Sequence, residues 1–80
     1  MSKEINNIIK TINGLQEDAT IPKNIKVRLQ NVIDILQEKE ENSIKINKAL
    51  DELDEIADDS NLQPYTRTQI WNIASMLETI

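Results

Sequence analysis

The stretch of sequence that decides the fold occurs twice in the chain. Residues 12–36 read INGLQEDATIPKNIKVRLQNVIDIL, and residues 53–77 read LDEIADDSNLQPYTRTQIWNIASML. The two stretches align without a gap, so that Glu17-Asp18 coincides with Asp58-Asp59 and the aliphatic positions of one fall on those of the other. An internal repeat explains this match, and so does the shared periodicity of any two amphipathic helical hairpins. Both explanations stay open at the level of the sequence.

Apolar residues recur three and four positions apart along the whole chain, which is the spacing of one face of an α-helix. We predict a first helix that runs to about Asp18, and a second that Thr20 caps and Pro22 opens. A third helix is expected over about 44–59, and a fourth that Pro64 opens. The predicted core stripes of the four helices are Ile5, Ile8, Ile9, Ile12 and Leu15; Ile25, Leu29, Val32, Ile33 and Leu36; Ile46, Ala49, Leu50, Leu53, Ile56 and Ala57; and Ile70, Ile73, Ala74, Leu77 and Ile80.

Four apolar stripes on helices joined by short loops have to be buried together. The predicted fold is therefore all-α: an antiparallel, up-and-down four-helix bundle built from two similar αα-hairpins, as a single domain over residues 1–80. A two-repeat solenoid fragment is the alternative, and it is less favourable because two repeats bury too little surface alone.

The composition excludes several classes of function. The 80 residues include nine Lys and Arg, fourteen Asp and Glu, no His and no Cys, for a net charge of −5. Disulfides, thiolate or imidazole metal sites, and Ser–His or Cys–His catalysis therefore cannot be built. We predict a non-enzyme with no catalytic residue and no cofactor. An acidic chain with two Arg is also a poor match for nucleic acid, because phosphate contacts dominate that affinity.

The apolar pattern also bears on the expected location of the protein. No apolar run approaches the roughly 18 residues that a membrane-spanning helix requires, so we expect no membrane insertion. The chain opens directly on an amphipathic pattern rather than on a hydrophobic leader. A cytoplasmic location is the expectation.

Acidic residues follow one side of the third predicted helix, at spacings of three and four. Such a ridge has the oxygen ligands that a divalent cation prefers. The favoured interpretation is a solvated face with Lys45 and Lys48 as partial counterions, and no residue is assigned as a metal ligand. This acidic ridge consists of Asp51, Asp54, Glu55, Asp58 and Asp59.

Trp71 is the most informative single residue, because it lies well off the apolar stripe of its helix. An aromatic side chain on a polar flank is typical of an interface anchor, although it also covers the edge of a bundle in many monomers. Val27 and Ile44 likewise point away from their own stripes. We interpret Trp71, Val27 and Ile44 as candidate interface residues, with a dimer as the simplest assembly.

Arg67 and Tyr65 stand at the start of the fourth predicted helix. The favoured interpretation of Arg67 is an ion pair with Asp58 or Asp59 across the loop. The functional alternative is that Arg67 and Tyr65 bind an anionic group at the N-terminus of the helix.

Two motifs point to a known family. The run 61–68, Asn-Leu-Gln-Pro-Tyr-Thr-Arg-Thr, continues into Ile70-Trp71, and 21–25 reads Ile-Pro-Lys-Asn-Ile. Over essentially the whole chain, both resemble an archaeal family of uncharacterised, acidic, all-helical proteins of about this length. Pro64 departs from that family's pattern by one position. The resemblance implies a bromodomain-like, up-and-down bundle in an archaeal cytoplasm, without acetyl-lysine binding and with no functional residue to carry over.

The function predicted from the sequence is a small non-catalytic module that binds a protein partner or assembles with itself. It follows from the size of the chain, the position of Trp71 and the missing catalytic chemistry. The alternative is a bundle that binds a divalent metal or a small ligand through the acidic ridge.

Overall fold

The structure is a computed structural model that describes residues 3–80. Over these residues the chain forms four α-helices and no strand: α1 (Lys3–Gln16), α2 (Lys23–Leu36), α3 (Asn42–Ala57) and α4 (Pro64–Glu78). The predicted all-α class with four helices is confirmed. The loops between the helices, residues 17–22, 37–41 and 58–63, have five or six residues, which brings consecutive helices side by side.

The helix ends differ from the predicted ones by about two residues. α1 ends at Gln16. The next two amides, of Glu17 and Asp18, donate to carbonyls three residues back rather than four, so the last turn is narrower than an α-helical one. Thr20 does not cap α2, as its hydroxyl donates instead to the Asp18 carboxylate at 2.6 Å. The N-cap residue of α2 is Pro22, which makes no side-chain capping bond.

The four helices form a ring around one core. α1 packs against α2 and α4, and α3 also packs against α2 and α4. Between residues 3 and 80, no Cα pair within 8 Å joins α1 to α3 or α2 to α4. Each helix therefore directs one face to the centre and leaves its opposite face to solvent, which is the arrangement of a four-helix bundle.

The core is built from Ile and Leu, with small contributions from Val and Ala and none from an aromatic side chain. Several apolar side chains at the edge of the core are only partly buried, among them Ile35, Ile46, Leu50 and Ala74. Two residues depart from the predicted pattern of burial. Ile80, predicted in the core stripe of the fourth helix, is 42% exposed, and Lys45, predicted on the solvated face of the third helix, is buried. The buried apolar residues are Ile5, Ile8, Ile9, Ile12, Ile21, Ile25, Leu29, Val32, Ile33, Leu36, Ala49, Leu53, Ile56, Ala57, Leu62, Ile70, Ile73 and Leu77.

The internal repeat extends to the hydrogen bonds of two loops. In the first hairpin, the amide of Thr20 donates to the Asp18 carboxylate at 2.9 Å. At the equivalent positions of the second, the amide of Asn61 donates to the Asp59 carboxylate at 2.8 Å. Ile21 and Leu62 follow these turns and are both buried. Amphipathic periodicity does not require matching loop bonds, so the structure favours the repeat over a chance alignment.

Candidate interaction surface

Arg67 joins the end of α3 to the start of α4. Its Nε donates to the carbonyl oxygen of Ala57 at 2.8 Å, and its Nη2 donates to that of Asp59 at 2.9 Å and of Leu62 at 3.4 Å. The predicted ion pair with the carboxylate of Asp58 or Asp59 is therefore wrong, because the guanidinium is taken up by backbone carbonyls. A helix C-terminus leaves carbonyls without intrahelical partners and carries a partial negative charge, and a cation at this position satisfies both.

Tyr65 lies apart from that arrangement. Its side chain is 66% exposed, and the Gln69 amide donates to its hydroxyl at 2.8 Å. Tyr65 lines the groove beside α1, whereas Arg67 is directed to α3. The anionic-ligand interpretation of this pair gains no support from the geometry, since the two side chains diverge and the guanidinium is occupied.

The acidic ridge of α3 does not assemble a metal site. In the part of the chain that the structure describes, no three Asp, Glu, His or Cys residues are placed to hold a metal ion together. The counterion prediction for Lys45 and Lys48 is also wrong. Lys45 is buried, and Lys48 extends to Glu38 at 3.5 Å and to Glu40 at 3.2 Å, away from the ridge.

Arg28 is the cation that neutralises part of α3, and the sequence analysis missed it. Its Nε contacts the Glu52 carboxylate at 3.1 Å, and its Nη2 contacts that of Glu55 at 3.0 Å. These pairs join α2 to α3 at a partly exposed surface. The i, i+3 spacing of Glu52 and Glu55 was the available signal, because residues three apart on a helix share a face.

Two titratable groups are perturbed by local hydrogen bonds. The Thr20 hydroxyl, together with the Thr20 amide, lowers the pKa of the Asp18 carboxyl below its ordinary value. A hydrogen bond to Glu40, supported by the charge of Glu38, raises the pKa of the Lys48 ammonium. The Asp18 carboxyl and the Lys48 ammonium both lie at the solvated surface, and neither lies in an enclosed cleft of the kind that shifts the pKa of a catalytic group.

The large exposed apolar side chains are concentrated on α4. Val27 lies on the solvent side of α2 and Ile44 on that of α3, 56% and 45% exposed. Tyr65, Trp71 and Met76 are all exposed on α4, and Trp71 is 55% exposed. The structure thus places the three predicted interface residues on three different helices, and among these helices α4 alone exposes further large apolar side chains within the described residues.

The outer surface of α4 has a simple layout. The buried residues Ile70, Ile73 and Leu77 define its core side. At 100° per residue, small polar residues occupy the opposite side, with Trp71 on the flank towards α3. Tyr65 and Met76 lie on the flank towards α1. We call this the α4 outer surface, and it consists of Tyr65, Thr68, Trp71, Asn72, Ser75 and Met76.

Charge is nearly absent from the α4 outer surface. No residue from 68 to 77 is charged, and Arg67 is engaged by the carbonyls of α3 and its loop. By contrast, α3 alone carries two Lys and four carboxylates. This neutral stretch is visible in the sequence as a run of ten residues without Asp, Glu, Lys or Arg.

Two shallow concavities follow the seam between α1 and α4. One lies near the end of α1 and includes Gly14, Leu15 and Tyr65 in its lining. The other lies near the start of α1 and includes Ile8, Met76 and Ile80. Both are open to solvent along the flank of the α4 outer surface, so the seam offers recesses for the side chains of a molecule packed there.

No helix within residues 3–80 is long and apolar enough to cross a membrane.

The geometry defines a small four-helix bundle with an aliphatic core and a neutral, partly apolar outer surface on its last helix. The whole chain, residues 1–80, matches the sequence model of the Uncharacterised protein family (UPF0147), and the chain belongs to this family. A UPF0147 protein from the archaeon Methanosarcina mazei is 34% identical over 80 residues, which cover 99% of this chain and 86% of the relative. The predicted family resemblance is confirmed.

Two crystal structures share the fold. A protein of unknown function, MMP1188, superposes with a TM-score of 0.89 at 38% identity, covering 96% of this chain and 89% of that one. A UPF0147 family protein from Thermoplasma acidophilum superposes with a TM-score of 0.87 at 32% identity, covering 95% and 91%. The chain therefore shares its fold with both of these proteins, and these similarities carry no activity to this chain.

Proposed function

We propose that this protein is a small, non-catalytic protein-interaction module, and that its contact surface is the α4 outer surface with Trp71 as its anchor. The observation that carries the proposal is the exposure of Trp71 among further exposed apolar residues on one helix. Trp and Tyr are enriched among the residues that dominate binding energy at interfaces. A chain that keeps its only Trp out of its core while packing that core with Ile and Leu is consistent with this use.

The architecture we propose is the antiparallel, up-and-down bundle of the bromodomain-like type. Short loops and the ring order of helix contacts support it. In this arrangement the outer side of every helix faces solvent along its full length, so α4 presents an uninterrupted surface. A cytoplasmic location stays a prediction from the sequence.

The metal-binding alternative has no comparable support. The acidic ridge gathers no three ligands for a metal within residues 3–80, and Arg28 already pairs with one of its members, Glu55. Val27 and Ile44 lie on the outer sides of other helices, so the proposal does not depend on them. We therefore retain one candidate function.

Affinity purification from the native host tests the proposal. The wild-type protein and Trp71→Gln serve as baits, with Val27→Gln as the matched control because it removes an equally exposed apolar side chain from another helix. We expect a stoichiometric partner, either another protein or the untagged chain, that wild type and Val27→Gln retain and Trp71→Gln loses. Equal recovery with all three baits contradicts the assignment of Trp71 as the anchor.

A further inference from the structure

We infer that the occupant of the α4 outer surface is a second copy of this chain, packed as an antiparallel, two-fold symmetric α4–α4 pair. This inference rests on the proposed interaction function and names its partner. Three properties of the surface support it: its charge, its hydrogen bonding and its direction.

Charge favours a second copy over a strongly charged partner. Two chains of net charge −5 repel each other, and the repulsion is smallest where their facing surfaces are neutral. Residues 68–77 provide such a surface. A two-fold contact through α3 would instead place its acidic ridge against an identical one, and like charges in apposition oppose binding.

Hydrogen bonds within α4 satisfy part of the polar groups that a contact would cover. The Thr68 hydroxyl donates to the carbonyl of Pro64 at 3.1 Å, and the Gln69 amide donates to the Tyr65 hydroxyl. These two bonds persist when the surface is covered, which lowers the cost of desolvating it. The side chains of Trp71, Asn72 and Ser75 make no hydrogen bond within residues 3–80, so a contact there has to supply partners for them.

A two-fold axis beside Asn72 would supply partners for its side-chain amide. A side-chain amide carries both donors and an acceptor, so two Asn72 amides facing each other across the axis can pair reciprocally. The same Asn–Asn contact fixes the register, since only one alignment of the helices brings the two amides together.

The antiparallel direction also suits the ends of α4. The helix is 15 residues long, about 22 Å, and Trp71 is its middle residue. An axis at this level places the C-terminal Glu78 of each copy near the N-terminal turn of the other. Carboxylates are favourable at helix N-termini, and the opposed macrodipoles attract.

The size of a dimer contact sets how much of α4 it has to cover. A standard interface buries roughly 800 Å² per partner, about one sixth of the 4925 Å² surface of this chain. Because four helices share that surface, a standard interface needs most of the exposed side of α4 together with its seam to α1.

The test uses the purified full chain and one charged substitution at two matched sites. Asn72→Lys places like charges across the proposed axis, whereas Asn31→Lys makes the same exchange at an exposed position of α2, a helix that does not contact α4. Circular dichroism verifies that both variants stay helical. Light scattering from about 1 µM to about 1 mM then measures the mass of each.

We expect wild type and Asn31→Lys to reach the dimer mass, and Asn72→Lys to dimerise with a Kd raised roughly tenfold or more. An equimolar mixture of Asn72→Lys and Asn72→Glu should regain the dimer, because opposite charges then meet at the axis. A wild-type monomer throughout the range overturns the second-copy inference, while the bait experiment separately decides the interaction function. A dimer that Asn72→Lys leaves unchanged, or that the mixture fails to restore, overturns the α4 pairing alone.

Discussion

Replacement of Arg67 by Met should destabilise the fold far more than the same replacement of Arg28. Arg67 donates two short hydrogen bonds, at 2.8 and 2.9 Å, to the carbonyls of Ala57 and Asp59. A hydrogen bond to a charged group contributes about 1.5–3 kcal/mol, and partial access of water reduces this here. Met retains the packing of the aliphatic stem, so the expected loss of unfolding free energy is about 2–4 kcal/mol, from the two lost charge-assisted hydrogen bonds and from the Ala57 carbonyl that is left without a partner.

That loss is large for a protein of this size. Eighty residues at typical specific stability give about 4–12 kcal/mol in total, and about 2–4 kcal/mol lowers the Tm by about 10–25 °C in so small a domain. Arg28→Met removes the same charge, but its ion pairs with Glu52 and Glu55 are partly exposed and contribute about 0–1 kcal/mol. Arg67→Lys should fall between the two, since an ammonium cannot reproduce the fork of donors.

The assay is urea unfolding followed by far-UV circular dichroism, with thermal melts as a second measurement. Wild type, Arg67→Met, Arg67→Lys and Arg28→Met are compared at one pH and ionic strength. An Arg28→Met variant that loses as much stability as Arg67→Met would refute the reasoning. In that case the ion pairs of α2 with α3, rather than the carbonyl contacts of Arg67, would tie the helices together.

Three further predictions follow from local contacts. Gly14→Ala should raise the stability by about 0.5–1 kcal/mol in urea unfolding, because Gly14 is helical and nothing lies within 4 Å of the added Cβ; a loss of stability would show a packing role for the missing side chain. Thr20→Val should raise the pKa of Asp18 in an NMR titration, and since that pKa is lowered in the fold, its contribution to stability is present above about pH 4 and is lost as the pH falls through the lowered value. An unchanged titration of Asp18 would show that the Thr20 hydroxyl is irrelevant to it. Millimolar Mg²⁺, Ca²⁺ or Mn²⁺ should leave the Tm unchanged, because the ridge gathers no set of three ligands within residues 3–80; a clear rise in Tm with any of them would reinstate the metal alternative.

Periodicity was sufficient to predict the helices and most of the core. The spacing of Ile and Leu identified every helix, because burial of one face is what stabilises a helix in a bundle. The predicted burial was wrong at Lys45. Lys counts as a charged residue in a hydrophobic pattern, but its long aliphatic stem can be buried beside apolar neighbours. Ile80 was assigned to the core, although it lies beyond the end of α4, where the stripe no longer has a helix to continue it.

The long-range polar contacts were harder to predict than the core. An ion pair of Arg67 with the nearest carboxylates was the expectation, yet the end of α3 offers backbone carbonyls, and the guanidinium fork reaches two of them. That of Ala57 has no backbone partner within residues 3–80, and that of Asp59 also accepts the amide of Leu62. Arg28 was overlooked because its partners lie on another helix, and pairing between helices requires their register. The off-stripe position of Trp71 and the uncharged stretch 68–77 follow from the sequence alone, whereas the flank of α4 on which Trp71 lies is fixed only by the assembled bundle.

The central claim is that the α4 outer surface becomes buried when this protein assembles. Because Trp71 is the only Trp and is half exposed in the single chain, its fluorescence reports on that surface directly. Emission and acrylamide quenching are measured across the concentration range in which light scattering follows the mass. We expect a blue shift and reduced quenching that track the doubling of the mass. A doubling of the mass with unchanged emission and quenching would contradict it.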